Sequence, residues 1–382
     1  MRRGCRRWWR YSHDIEILVD RAFPIPYRQR LTNAKAVNDA APTIGTDDRH
    51  DDNIQHWDDV MRDCQAVDGF GHTWSGFVGI DWSGAKGQFI AGIQLAMARP
   101  GTTVPDTILP PQNDHWSRQD VMTFLLDQAA QVPAGAPLLV GIDFAFAHPF
   151  ADYGSYFPDC GDAPKDAAAL WRLVDEVNGD LPHFYGGAMF RHPVLGAYYL
   201  APPHFSAPRY QSRRRVTELA AKASGRSPSP TFKAVGADNV STGSMAGMRC
   251  IHHLRQKLGA RLAVWPFDDL RQCWPGVRLV LVEIFPSYYF YRAGMVPAKQ
   301  AAAEASFLNA ALDFYNSAGV APQFIAKGAD ADEADAIIAA AALRHFAQQT
   351  TKTMFDLPDP IGLNARQEGW IFGVDPIHAQ QP

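Results

Sequence analysis

The sequence has little of what most often gives a protein away. Its 382 residues include five cysteines, Cys5, Cys64, Cys160, Cys250 and Cys273, odd in number, widely spaced and without a C-x-x-C pair. That pattern excludes a disulfide framework and a zinc ribbon and points to a reducing compartment. No apolar run approaches the ~18 residues that span a bilayer, so no membrane association is expected. The opening stretch MRRGCRRWWRYSH carries arginines with no apolar segment behind them, unlike a secretory signal, and a cytoplasmic location is expected. Neither sign of charge dominates: 36 Lys and Arg against 40 Asp and Glu leave a net charge of -4. The chain therefore lacks a global basic footprint for nucleic acid, and any basic patch has to be local.

The familiar nucleotide and nucleophile motifs are missing too. Gly79 to Lys86 (GIDWSGAK) comes near a P-loop, but Ala85 displaces the lysine by one position and no Ser or Thr follows it. Gly69-Phe70-Gly71 lacks the third glycine of a dinucleotide fingerprint, and Gly243 to Gly247 does not have the G-x-S-x-G spacing. No internal repeat is visible. His252 and His253 are adjacent on a predicted helix, hence on different faces, and read as structural.

What is present is ample core material. Hydrophobic residues make up 47% and charged residues 20%, the balance of a soluble globular protein. Residues 1–72 read as a poorly ordered or peripheral extension, with five arginines around Trp8 and Trp9 and then a polar, acidic stretch. The alternative for this segment is a basic-aromatic arm that touches a phosphate backbone. From residue 73 to about 375 the pattern is that of one α/β domain, followed by a tail at 376–382.

Three apolar runs in this domain end in a carboxylate: Phe77 to Asp81, Leu138 to Asp143, and Leu279 to Glu283. Continuous apolar runs suit strands buried on both faces. Gln88 to Met97 follows the first closely enough to pair with it. Ser117 to Gln131 reads as a helix capped by Ser117, and Ala167 to Val177 as another. Pro297 opens an alanine-rich helix that Gly319 ends, Asp332 to His345 is a further helix, and Trp370 to Val374 a short strand. The long segment 151–275, rich in Pro, Gly and aromatics, interrupts the alternation as an insertion.

In an open α/β sheet, ligands sit beyond the carboxyl ends of the strands. Neighbouring strands would bring Asp81, Asp143 and Glu283 to one crevice, and Asp332 and Asp335, spaced i, i+3, share a helix face that can join them. Carboxylates so gathered raise one another's pKa. A hard divalent cation, Mg²⁺ or Mn²⁺, makes such a cluster tolerable, and two such ions can clamp an in-line phosphoryl displacement. Each piece has an ordinary reading as well: Asp81 as a turn residue, Asp332 as a helix N-cap, Glu283 as a half-exposed strand residue.

The order of these pieces resembles the predicted nucleases of ribonuclease H-like fold gathered as domain-of-unknown-function family 429. The resemblance rests on Val78-Gly79-Ile80-Asp81, Gly141-Ile142-Asp143-Phe144, Val282-Glu283-Ile284-Phe285-Pro286, Asp332-Glu333-Ala334-Asp335-Ala336 and Glu368-Gly369-Trp370-Ile371, and covers Gly76 to Val374. The Asp-x-x-Asp-Ala helix is also similar to that of bacterial Holliday-junction resolvases, where this spacing supplies metal ligands. The resemblance implies a mixed central sheet flanked by helices, with a large insertion between the fourth and fifth strands. It places Asp81 on the first strand, Asp143 on the fourth, and Asp332 and Asp335 on the last helix. It further implies a metal-dependent nuclease with catalytic Asp81, Asp143, Asp332 and Asp335, Glu283 as a peripheral ligand or as a supporting residue behind the ligands, and DNA or RNA as substrate. The chain departs from the resolvases in having Asp143 where a Glu is usual and in its long insertion.

Inside the insertion, Arg209, Arg213, Arg214, Arg215, Lys222, Arg226 and Lys233 stand against a single acid, Glu218. With Tyr210 and Phe232 nearby they can track a phosphate backbone, or they are a solvated face. Gly236 to Ser244 is a small-residue loop running into a helix expected at Met245 to Leu258, so Ser241, Thr242 and Ser244 are candidate anion contacts at a helix N-terminus. Two rivals to the nuclease remain: an actin-like or sugar-kinase-type ATP-binding phosphotransferase, with Asp81-Trp82-Ser83-Gly84 as its first turn, and a non-catalytic binding protein.

Overall fold

The run Gly76–Asp81 has no polar side chain before its last residue, and every residue in it is buried. The same holds for Leu138–Ile142 and for Leu279–Glu283. In the computed structural model, which describes residues 66–67 and 73–380 apart from 113, 203–206, 237–238, 297–302 and 350–353, these runs form the middle of a mixed sheet. Six strands compose it: β1 (Gly76–Asp81), β2 (Gln94–Ala98), β3 (Asp106–Ile108), β4 (Leu138–Ile142), β5 (Leu262–Val264) and β6 (Leu279–Glu283), in the order β3-β2-β1-β4-β6-β5. β2 is antiparallel to both β1 and β3, which the short connections permit. β4, β6 and β5 run parallel to β1 and to one another, reached through long crossovers.

The sheet holds one strand more than expected. β5 comes from within segment 151–275 and adds an edge beyond β6, so the strand carrying Glu283 is the sixth in chain order, not the fifth. Three residues are too few for a run or an alternation to stand out.

Helices cover both faces. Among the described residues, those longer than one turn are α1 (Arg118–Gln131), α2 (Ala167–Asn178), α3 (Val216–Ala223), α4 (Ser241–Leu258), α5 (Pro286–Arg292), α6 (Ala305–Phe314), α7 (Asp332–Ala347) and α8 (Ile361–Glu368). Alternate strand residues feed two cores. Phe77, Leu139, Val280 and Val282 pack with α5, α6 and α7, while Val78, Ile80, Val140, Ile142 and Leu281 pack with α1, α2 and α4. Ser117 caps α1 as expected, and the cap is a reciprocal box: its Oγ accepts from Asp120 N at 3.0 Å, and Asp120 Oδ2 accepts from Ser117 N at 3.2 Å.

α7 lies almost on the sheet. Its residues Ala334, Ala336 and Ala339 to Ala342 are all buried, and opposite them β1 has Gly79. A β-carbon at Gly79 would stand 2.3 Å from the carbonyl oxygen of Ala336, so glycine is what permits the approach. The helix starts from Ala331, held left-handed at φ 67°, which makes Asp332 its first residue and not its N-cap. Nor is α7 the last helix, since α8 follows it.

Other boundaries differ from expectation. α4 begins at Ser241, so Ser241 to Ser244 form its first turn and not a loop. α6 ends at Phe314, ahead of Gly319, and Pro297 lies outside the described residues. Trp370 to Val374 contributes a single bridge, Ile371 to Glu283, and no strand. Within the expected extension 1–72, Ala66–Val67 pairs antiparallel with Thr73–Trp74. The remainder of that extension, with its arginines, lies outside the described residues. No described helix is long and apolar enough to cross a membrane.

Candidate functional site

Parallel register decides where the strand ends fall. Ile80 lies opposite Ile142, and Ile142 opposite Glu283. Asp81 and Asp143, each one residue further on, therefore leave the sheet at the same edge as Glu283. α7 brings its first turn to that edge. Asp81, Asp143, Glu283, Asp332 and Asp335 all line one cleft of about 720 Å³.

The carboxyls in it disturb one another. Burial pushes Asp81 well above the ordinary range, and the charges of Asp335, Asp143 and Asp332 push it further. The Asp332 side chain beside Asp81 raises it as well, while the same contact works to lower Asp332, whose net shift is still upward through burial. Asp335 is raised by burial and then by Asp143 and Asp332, while Asp143 is pushed up to about 8 by burial and by Glu283. Asp330, which also lines the cleft, adds to the charge felt by Asp332 and Asp335. Among the described residues no basic side chain forms an ion pair with Asp81, Asp143 or Asp335.

All-oxygen donors with uncompensated charge suit a hard divalent cation. Their spacing does not make a closed cage: among the described residues no group of three or more Asp, Glu, His or Cys side chains is gathered to hold a metal ion. The arrangement fits a cation held by one or two carboxylates, with water and substrate oxygens completing its shell, as Mg²⁺ commonly is.

Glu283 is committed elsewhere. Arg215 donates Nη1 to Glu283 Oε2 at 2.6 Å and Nη2 to Oε1 at 2.5 Å, and Phe146 N donates to Oε2 at 3.0 Å. Arg215 Nε also donates to Glu218 Oε1 at 2.8 Å, and burial pushes Glu218 up to about 7. Glu283 is thus the anchor of an arginine and not an open cation ligand.

Two arginines at the centre of the basic stretch, Arg213 and Arg215, are turned inward, while Arg209 and Lys222 are exposed. Arg213 is buried, with Nε on Asp152 Oδ2 at 2.8 Å and further bonds to the carbonyls of Tyr156, Pro149 and Ser155. Arg215 is buried on the cleft floor, Arg214 donates to the Pro228 carbonyl, and Lys233 is half-buried. Arginines in a run look alike in sequence whether solvated or buried. What separates them here is distant acids, Asp152 and Glu283. At α4, Thr242 faces the cleft with Oγ1 on Asn239 Oδ1 at 3.0 Å. Ser244 turns inward: its Oγ donates to Val240 O and accepts from Ala145 N. Ser241 is buried and off the cleft lining, and its Oγ has no partner.

Sequence reasoning missed Trp82, Lys86 and Tyr185, which line the cleft, and Arg118, which is buried behind it. Arg118 lies at the start of a helix and carries no local sign of its role. Its Nη2 donates to Ser83 O and to Ala85 O, both at 2.7 Å, fixing the turn that follows Asp81. No protein family, curated protein or solved structure matches this chain, so its cleft is the ground for assigning a role.

Proposed function

We propose that the chain is a metal-dependent nuclease of ribonuclease H-like fold that hydrolyses phosphodiester bonds of DNA or RNA. One observation carries this reading: Asp81, Asp143, Asp332 and Asp335 face a single cleft at the carboxyl edge of a mixed sheet, and among the described residues no basic side chain is paired with Asp81, Asp143 or Asp335. Two features support the fold assignment. Asp143 directly follows the fourth strand of the sheet, and the Asp-x-x-Asp pair rides on a helix packed across the first strand. The resemblance to domain-of-unknown-function family 429 would put that family's carboxylates at the first and fourth strands and on a helix of this kind, though it implied the last one.

Mg²⁺ or Mn²⁺, if bound here, would supply the positive charge that a phosphodiester hydrolysis needs. One or two of Asp81, Asp143, Asp332 and Asp335 would hold it, with water and substrate oxygens completing its shell. A raised carboxyl that took up the cation would first give up its proton, because a ligating carboxylate is ionised. Arg118 keeps the turn after Asp81 in place, and Arg215 keeps Glu283 out of the ligand set. A second reading, a non-catalytic binding protein on the same fold, draws on the lack of any three-ligand group among the described residues.

The deciding assay offers the purified chain branched DNA, single-stranded DNA, RNA and ATP, each with Mg²⁺ and with Mn²⁺. Cleavage of nucleic acid that stops on chelation supports the nuclease. ATP turnover without cleavage replaces it with the phosphotransferase. Nucleic-acid binding without any turnover leaves the binding protein.

A further inference from the structure

Tyr185 is half-buried and lines the carboxylate cleft, yet the metal chemistry has no use for it. The backbone that presents it is strained. His183 and Phe184, the two residues before it, are both left-handed, with φ of 57° and 56°. Side chains resist this conformation, bulky ones most, and successive instances persist only where the surroundings impose them.

Two buried arginines impose it. Arg118 Nη1 donates to His183 O at 2.9 Å, and Arg249 Nη1 donates to Leu181 O at 3.1 Å and to Tyr185 O at 2.8 Å. Arg249 also lies 5.6 Å over the ring of Phe184 and is itself held by Asp175 at 2.9 Å. Beyond Tyr185 two glycines complete the seat. A β-carbon on Gly186 would come 2.2 Å from Met245 Cβ of α4, and one on Gly187 would come 2.4 Å from Cε1 of Tyr185 itself. The ring thus lies back over Gly187 in a fixed position. Arg118 ties this seat to the turn after Asp81, so the segment leading into Tyr185 and the turn behind the first carboxylate share one anchor.

We propose that Tyr185 is a specificity-determining residue whose ring stacks on an unpaired nucleobase next to the phosphodiester presented to the carboxylates. This rests on the nuclease reading and narrows its substrate to single-stranded or unpaired segments. A rigid aromatic face beside a phosphate site serves any base, because every base has a π-face, whereas a base inside a duplex is already stacked on its neighbours.

The test measures binding apart from cleavage, by fluorescence anisotropy of the full chain in Ca²⁺. The probes are a fluorescein-labelled thymidine decamer, the same decamer with abasic sites, and a matched duplex. Tyr185→Ala is expected to raise Kd for the decamer roughly 10-fold, the loss of one base–aromatic stack, and to leave the abasic Kd unchanged. Tyr185→Phe and Tyr185→Trp keep the stack and stay within about 2-fold of the parent. Melting curves establish that each variant is folded. The stacking role is overturned if folded Tyr185→Ala binds the decamer like the parent, if the abasic probe loses as much, or if Tyr185→Phe is as weak as Tyr185→Ala. Each of those results leaves the nuclease standing, whereas a parent chain that binds neither DNA nor RNA overturns both.

Discussion

Arg215 and Glu283 meet through two parallel hydrogen bonds, at 2.6 and 2.5 Å, where both side chains are almost wholly removed from water. Taking away one partner leaves a buried charge unpaired, which costs about 3–5 kcal/mol. Glu283→Gln is therefore expected to lose about 3 kcal/mol or more of stability while keeping its cation affinity. Arg215→Ala should lose a similar amount, and the double variant less than the sum. Denaturant midpoints measure the first effect and calorimetric Mn²⁺ titration the second. A Glu283→Gln protein of parental stability that no longer binds Mn²⁺ would make Glu283 a ligand after all.

Asp81→Asn and Asp335→Asn each remove a negative charge from the cleft without changing side-chain size. Each is expected to weaken Mn²⁺ binding roughly 10-fold or more. The pair should not be additive, since both act through the same ion. In chelator the same variants should melt higher than the parent, because a repelling carboxylate has gone. Mn²⁺ titrations and melts in EDTA read the two effects, and a parental Mn²⁺ affinity in both variants would remove these residues from the site.

The cation-free protein should lose stability as the solution turns alkaline. Asp143 holds its proton up to about 8 in the folded chain, whereas an unfolded Asp releases it near 3.8. The stabilising contribution is complete below about 3.8 and disappears as pH rises through 8. His148 acts in the opposite sense. Burial keeps it neutral between Thr231 and Tyr199, so its contribution is present above the ordinary histidine value and is lost on acidification. Above about pH 6.5 the histidine contribution is complete, so up to pH 8 the slope is set by the raised carboxyls, Asp143 together with Asp81, Asp335 and Glu218. There, in EDTA, the parent's melting temperature should fall with pH and that of Asp143→Asn should change less. Equal slopes for the two would show that Asp143 is not the group responsible.

Gly79→Ala sets a β-carbon 2.3 Å from the Ala336 carbonyl and 2.6 Å from Ala340 N, both backbone atoms of α7 that cannot rotate aside. Overpacking of this kind costs about 1–3 kcal/mol or more. Because relief comes from displacing α7, Asp332 and Asp335 move away from Asp81, and Mn²⁺ affinity should fall together with stability. A variant that melts lower but titrates like the parent would uncouple the helix from the cleft.

The central strands were legible because their runs are apolar on both faces, and burial on both faces is what such runs express. β1, β4 and β6 appear where Phe77 to Asp81, Leu138 to Ile142 and Leu279 to Glu283 placed them. Ser117 declared its helix by a local hydrogen-bond pattern complete within four residues. The cleft carboxylates were legible for a related reason: each sits at the end of a run, and parallel strands align their ends. The fate of Arg213 and Arg215 was not legible, since their partners Asp152 and Glu283 are far away in the chain. Tyr185 was invisible because its seat is made by two arginines from other helices. The left-handed start of α7 was hidden too, as alanine at position 331 gives no sign of positive φ.

The edge strand β5 and its neighbour β6 carry a kinetic consequence. β4 is apolar along its whole length and pairs with β1 on one side, but its other neighbour, β6, arrives only after the entire insertion has been traversed. Closing a loop grows more costly in entropy with its length, though slowly, and sheets assembled from distant segments fold slowly as a class. Until β6 docks, the free edge of β4 is an open template for any extended chain. Refolding yield should therefore fall as protein concentration rises, with the vulnerable interval set by how quickly residues 151–275 collapse and deliver β6 to its place.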